Sequence, residues 1–230
     1  MADFNEFEEQ NAVVFKNKAL LRQAFTHRSY INENKSAGLG HNERLEFLGD
    51  AVLELVVTEY LYGIYPDKTE GELTSFRSAL VNTNTISRVA GNLYMDDYLL
   101  LSRGEAKDTG RARQYILANT FEAVIGAIYL DQGYAIAQSF IEKNLFPLQK
   151  EMVEMGLWQD SKSLFQEKAQ DIASVTPTYK TVKETGPDHD KYFTVAVYLG
   201  SEMIAEGKGR SKQEAEQEAA RHALEEKRWN

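Results

Sequence analysis

Apolar residues in the first two-thirds of the chain recur every three to four positions, the spacing of one face of an α-helix. Leu20, Leu21, Ala24 and Phe25 carry this pattern up to the segment THRSY. Leu45, Leu48, Val52, Leu55, Val56 and Tyr60 carry it again until Gly63 and Pro66. A third stripe holds Leu73, Phe76, Ala79 and Leu80 and runs on towards Val89 and Ala90. A run rich in Ala, Ile, Val and Phe lies between Gln114 and Leu130 and closes on Asp131-Gln132-Gly133. Tyr134 opens another amphipathic stretch that reaches Leu148. The pattern predicts an all-α first part.

After Gly156 the periodicity changes. SKSLFQEKAQDIA reads as a short helix capped by Ser161 or Ser163. TPTYKTVKET and KYFTVAVYLG alternate with period 2 and are rich in Tyr, Thr and Val, which predicts strands. SEMIAEGKG supplies a third, and SKQEAEQEAARHALEEK a closing helix rich in Ala and Glu. The order α-β-β-β-α describes a small α+β domain. The expected division is therefore 1–155 and 156–230, joined by a short linker around Glu151–Asp160.

Composition narrows the class. A chain of 230 residues accommodates one domain of ordinary size and a smaller one. With 43% hydrophobic and 27% charged residues, neither a disordered nor a fibrous protein fits. No apolar stretch is long enough to span a bilayer, and MADFNEFEEQ lacks the apolar core of a secretory signal, so no membrane association is expected. The absence of cysteine rules out disulfides and thiolate metal centres, and accords with a reducing cytoplasm. The formal charge of −9 argues at first against a polyanionic partner. Its distribution removes the argument. Residues 1–160 carry 15 Lys+Arg against 23 Asp+Glu, and residues 161–230 carry 11 against 12. Screening limits an exposed charge to about 8–10 Å, so a local basic face suffices, and the acidic first part can hold cations.

HNERLEFLGDAVLELV sets Glu43, Glu46 and Asp50 at offsets 0, +3 and +7, one face of a helix, with Leu45, Leu48 and Val52 on the other. A solvated acidic face is the ordinary meaning of such spacing, and a metal site is the alternative. QYILANTFEAVIGAIYL favours the second. Glu122 is the only ionisable acid or base between Arg113 and Asp131, on a helix apolar on most sides, and a buried carboxylate is costly unless paired or bound to metal. Asn119, one turn earlier, adds a carbonyl oxygen. Oxygen-only donors suit Mg²⁺ or Mn²⁺ rather than Zn²⁺.

The segment HNERLEFLGDAVL resembles the signature of the ribonuclease III family. The resemblance extends to LLRQAFTHRSY, EGELTSFRSALV and ILANTFEAVIGAIYLDQG, and covers nearly the whole chain. It implies a helical endonuclease domain in which Glu46, Asp50, Glu122 and Asn119 are metal ligands, Asp50 and Glu122 are the principal catalytic carboxylates, and Glu43 and Glu70 are accessory acids. The implied cofactor is Mg²⁺, for which Mn²⁺ can substitute. One position departs from the family, which usually has Asp where this chain has Asn119; that residue is either a natural variant or an engineered change. Thr26, His27, Ser29 and Tyr30 read as structural hydrogen-bonding groups, since no nucleophile–base–orienter set accompanies them. Gly49 and Gly126 read as sites of close helix packing, and Arg111 and Arg113 as either phosphate contacts or loop charges.

In the second part, GKGRSKQEAEQEAARHAL starts a helix at Ser211 with Lys208, Arg210 and Lys212 at its N-terminus, where backbone N–H groups already favour anions. The α-β-β-β-α order with the GPDHDKYF loop resembles the double-stranded-RNA-binding domain. By that resemblance Gln166 on the first helix and Pro187 and His189 in the loop meet minor grooves, while Lys208, Arg210, Ser211 and Lys212 clamp phosphates. Gln213 stands where many members have a second Lys. The whole resemblance implies a cytoplasmic, homodimeric endoribonuclease, paired through its endonuclease domain, that cleaves double-stranded RNA to 5′-phosphate and 3′-hydroxyl ends and processes ribosomal-RNA precursors and structured messenger RNAs. The alternatives are a catalytically impaired RNA-binding protein of the same fold, with Asn119 as its mark, and a helical metal hydrolase acting on small phosphorylated molecules.

Overall fold

The computed structural model describes residues 3–35, 38, 40–149, 161–187 and 191–229. The chain divides into two compact units, Met1–Trp158 and Gln159–Asn230.

The regular elements of the first unit, among its described residues, are helices: α1 (Phe4–Asn11), α2 (Lys18–Ala24), α3 (Arg28–Glu33), α4 (Glu43–Ile64), α5 (Glu70–Val81), α6 (Thr83–Asn92), α7 (Arg111–Gln132) and α8 (Tyr134–Leu145). Two 3₁₀ turns, Met95–Tyr98 and Glu105–Lys107, interrupt the connection before α7. The long helices α4 and α7 form the most extensive pair. Helix α7 buries Ile116, Phe121, Val124, Ile125 and Ile128 on several sides at once, which places it at the centre of the unit. Each such side chain contributes about 1.5–3 kcal/mol on burial.

Short polar side chains fix where helices begin. Asn17 caps α2 by accepting from the amide of Ala19. Thr69 and Glu72 form a reciprocal capping box at α5. His27 is the cap of α3, accepting from the Ser29 amide, while Thr26 donates its hydroxyl to the Arg22 carbonyl at 2.7 Å. Thr26, His27 and Ser29 thus each make a local hydrogen bond.

Two expectations are corrected. The stripe from Leu73 to Ala90 is not one helix. Asn82 breaks it in an extended conformation (ψ 158°), donating to the Ala79 carbonyl of α5 and accepting from the Thr85 amide of α6. The stripe continues because α6 turns Ile86, Val89 and Ala90 to the same core. Leu55 follows the apolar spacing of α4 yet is 56% exposed; Leu53 and Val57 take the core positions instead. The acidic first segment also folds: in α1, Phe7 is fully buried and packs edge-on against Phe25 and Tyr98.

The second unit follows the expected order: α9 (Ser161–Ala173), β1 (Thr178–Thr185), β2 (Tyr192–Leu199), β3 (Glu202–Gly209) and α10 (Lys212–Lys227). The strands form an antiparallel meander, β1-β2-β3. Gly200, at φ +61°, makes the tight turn between β2 and β3 that a side chain would strain. Phe165, Val197, Ala219, Ala220, Ala223 and Leu224 form a separate small core, onto which Trp229 stacks. Ser163 lies inside the first turn of α9 and Ser161 is its first residue, so neither is a flanking cap. Among the described residues, no helix is long and apolar enough to cross a membrane.

Candidate functional site

The candidate metal ligands lie on α4 and α7, and two glycines set how closely those helices approach. A Cβ on Gly49 would fall 1.7 Å from the carbonyl oxygen of Glu122, and one on Gly126 would fall 2.2 Å from that of Leu45. Backbone therefore meets backbone at the crossing. Glu46 and Asp50 flank Gly49 by one turn or less, so the crossing sets them beside Glu122.

The electrostatics record that proximity. Burial, followed by the charges of Asp50 and Glu46, pushes the Glu122 carboxyl up to about 8. Burial also raises Glu46, with help from Glu43 and Asp50, and raises Asp50, with help from Glu54. Each carboxyl holds its proton more tightly because burial disfavours its charged form, and anionic neighbours add to the effect. Asn119, half-buried one turn before Glu122 on α7, adds an uncharged oxygen. The donor set fits a hard divalent cation: it is all oxygen, and its carboxyls are close enough to act on one another's charge. Among the described residues, no three Asp, Glu or His side chains close around a metal-sized point, so the set is gathered but not pre-closed.

Glu43 stands at the rim of this set, 3.6 Å from Arg28 on α3 and 3.6 Å from His41. Glu70 is elsewhere. It opens α5 and lines a pocket of about 410 Å³ with Tyr62, Leu73 and Arg77, and it is not among the charges that act on Glu46, Asp50 or Glu122. Glu54 escaped the sequence reading, although it repeats the four-residue step from Asp50. Arg113, in the first turn of α7, is held against the preceding segment, donating to the carbonyls of Glu105, Ala106 and Asp108, whereas exposed Arg111 lies over the ring of Tyr115.

In the second unit, Ser211 caps α10 by accepting from the Glu214 amide at 3.1 Å, and Glu214 in turn accepts from the Arg210 amide at 2.8 Å. Lys208 is exposed on β3, Arg210 lies in the turn and Lys212 is the first helical residue. The four residues of the expected clamp thus share one corner. Lys212 also pairs with Glu184 of β1 at 3.4 Å. Gln166 is exposed on α9, beside Ser163 and Gln170, and Pro187 is exposed after β1. His189 lies outside the described residues.

Residues 17–148 match the family model described as ribonuclease-III-like, and residues 161–227 the double-stranded RNA binding motif. Ribonuclease 3 of Borreliella afzelii (strain PKo) is 46% identical over 224 residues, spanning 97% of this chain and 91% of the relative. Ribonuclease 3 of Enterococcus faecalis (strain ATCC 700802 / V583) is 44% identical over 222 residues, spanning 95% of each. Among solved structures, the nuclease domain of ribonuclease III from Campylobacter jejuni matches with a TM-score of 0.56 at 40% identity, covering 63% of this chain and 99% of that one. With both units matched in order and identity spread over nearly its full length, the chain belongs to the ribonuclease III family.

Proposed function

We propose that this protein is a Mg²⁺-dependent endoribonuclease that cleaves double-stranded RNA, leaving 5′-phosphate and 3′-hydroxyl ends. The observation that carries the reading is the glycine-to-backbone crossing of α4 and α7, which sets Glu46 and Asp50 beside Glu122, where burial and then their charges push Glu122 up to about 8. Glu46, Asp50, Glu122 and the amide oxygen of Asn119 would hold the cation. When bound, Mg²⁺ or Mn²⁺ supplies positive charge to the phosphoryl group and lowers the pKa of water. The protein's own part is to present Asp50 and Glu122 from two helices that cross at Gly49, and to hold Glu43 at the rim between Arg28 and His41.

The working unit in this reading is a homodimer joined through residues 1–155, with residues 156–230 holding the duplex. Phe47 (81% exposed), Leu55 and Tyr62 (76% exposed) form a bare apolar stripe along α4, at the spacing of one helix face. The Campylobacter nuclease domain has a region involved in dimer formation. Glu70 serves in this reading as an accessory acid from its separate position on α5. Ribosomal-RNA precursors and structured messenger RNAs in the cytoplasm are the proposed substrates.

Incubation with long duplex RNA, with Mg²⁺ and with EDTA, tests the reading. Cleavage only with the metal supports it. Tight duplex binding without cleavage at any metal concentration would instead favour the impaired RNA-binding protein, for which Asn119 is the specific motive.

A further inference from the structure

The corner that carries Arg210 and Lys212 is built over two aromatic rings. Tyr192 and Phe193 open β2, and in the register of the sheet Glu184, Phe193 and Gly209 stand side by side, one on each strand. At Gly209 a Cβ would fall 2.5 Å from the Cβ of Glu214 and 2.6 Å from the amide nitrogen of Ala215. The missing side chain lets the first turn of α10 settle onto the end of this row. That approach sets the Lys212 Nζ 5.6 Å from the centroid of the Phe193 ring. The guanidinium carbon of Arg210 lies 5.7 Å from the centroid of Tyr192. Both fall within the ~6 Å at which a cation is drawn to an aromatic face. Tyr192 is 42% exposed, so its ring belongs to the surface rather than the core.

We propose that Tyr192 and Phe193 are positioning residues for RNA binding, whose ring faces hold Arg210 and Lys212 in place at the start of α10 before a duplex arrives. The proposal rests on the reading of Lys208, Arg210, Ser211 and Lys212 as a phosphate clamp. Arginine and lysine side chains lose much rotamer freedom when a phosphate fixes them, and a side chain already seated loses less. An aromatic face seats a cation without neutralising it, which a carboxylate does not. Glu184 supplies the contrast within the same corner: its pairing with Lys212 fixes the ammonium but competes with a phosphate for it.

The test is duplex-RNA affinity of the full chain in EDTA, where cleavage is stopped, for Tyr192→Leu, Tyr192→Phe, Arg210→Ala and the double variant Tyr192→Leu/Arg210→Ala. Thermal melting confirms that each variant is folded. Tyr192→Leu is expected to weaken binding about two- to five-fold. Tyr192→Phe, which keeps the ring, is expected to retain native affinity. The double variant is expected to bind no worse than Arg210→Ala alone, because the ring acts through that guanidinium. A loss from Tyr192→Leu that is equally large with and without Arg210 overturns the proposal. So does a Tyr192→Leu variant of native affinity when Arg210→Ala is weakened. If Arg210→Ala itself leaves both affinity and salt dependence unchanged, the clamp reading fails first and the platform with it.

Discussion

At neutral pH a carboxyl held at about 8 is mostly protonated, so without a cation Glu122 sits in its crossing as a neutral acid. Its ordinary value is 4.5, the reference for the unfolded chain. Because the folded value is the higher, Glu122 contributes stability that is complete below about 4.5 and is lost as the pH rises through about 8. Glu122→Gln removes that ionisation. In metal-free protein its melting temperature should exceed the native one by a few degrees at about pH 9, and by much less at about pH 5. Its duplex cleavage should fall at least about a hundredfold while duplex binding stays near native. Asn119→Asp makes the opposite change. A fourth carboxylate adds attraction for a divalent ion, partly offset by repulsion within the set. A titration of cleavage rate against Mg²⁺ should show a lower midpoint for Asn119→Asp than for the native chain, and Mn²⁺ should narrow the gap. Identical midpoints would mean that residue 119 does not touch the cation. At this scale the spacing of Glu43, Glu46 and Asp50 was legible, because turns of a helix are fixed by geometry. Tyr192 and Phe193 were not: period 2 assigns a strand residue to a face, but says nothing of which later helix starts above it.

Helix α4 offers a matched pair of glycines. Gly49 lies against the backbone of α7, whereas a Cβ on Gly63 would meet no atom within 4 Å. Gly49→Ala must force the two helices apart, at a cost of about 3 kcal/mol or more, and should lose cleavage because the crossing aims the carboxylates. Gly63→Ala should instead stabilise by up to about 1 kcal/mol, through the unfolded chain alone. Melting curves of the two variants read both signs, and equal destabilisation would contradict the backbone-contact argument. Most helices were readable from their apolar stripes. The break at Asn82 was not, because α5 and α6 feed one core and leave the stripe continuous across it. Helix α1 hid for the reverse reason: Phe7 is its one fully buried aromatic, surrounded by acids, and two apolar residues, Phe4 and Phe7, are too few to register as a stripe.

On the scale of the whole chain, the charge that seems to forbid an RNA partner is unevenly spread. The first 160 residues hold most of the acidic excess, and the clamp lies in a part that is nearly balanced. Each Lys or Arg that contacts a phosphate releases counterions, so affinity falls as salt rises. Removal of residues 156–230 should therefore lower duplex affinity and flatten the slope of log K against log salt by about two to three units, one for each lost cationic contact. The remaining 1–155 fragment should still sediment as a dimer at micromolar concentration and cleave at low salt. An unchanged slope, or a monomeric fragment, would contradict the division of labour. The two-unit organisation was legible from the switch in periodicity, since helix and strand repeats differ in kind. The depth of the nuclease core was less so, because a stripe cannot tell a buried position from an exposed one, and Leu55 proved exposed.

Asp131, in the last turn of α7, accepts from the amides of both Lys16 and Asn17, each at 2.8 Å, across more than a hundred residues of chain. Those two amides have no strand or helix partner of their own, so their hydrogen exchange is governed by the far end of the helix that bears Asn119 and Glu122. Release of Asp131 would free both amides together, so joint exchange of Lys16 and Asn17 is the signature expected when the tail of α7 opens.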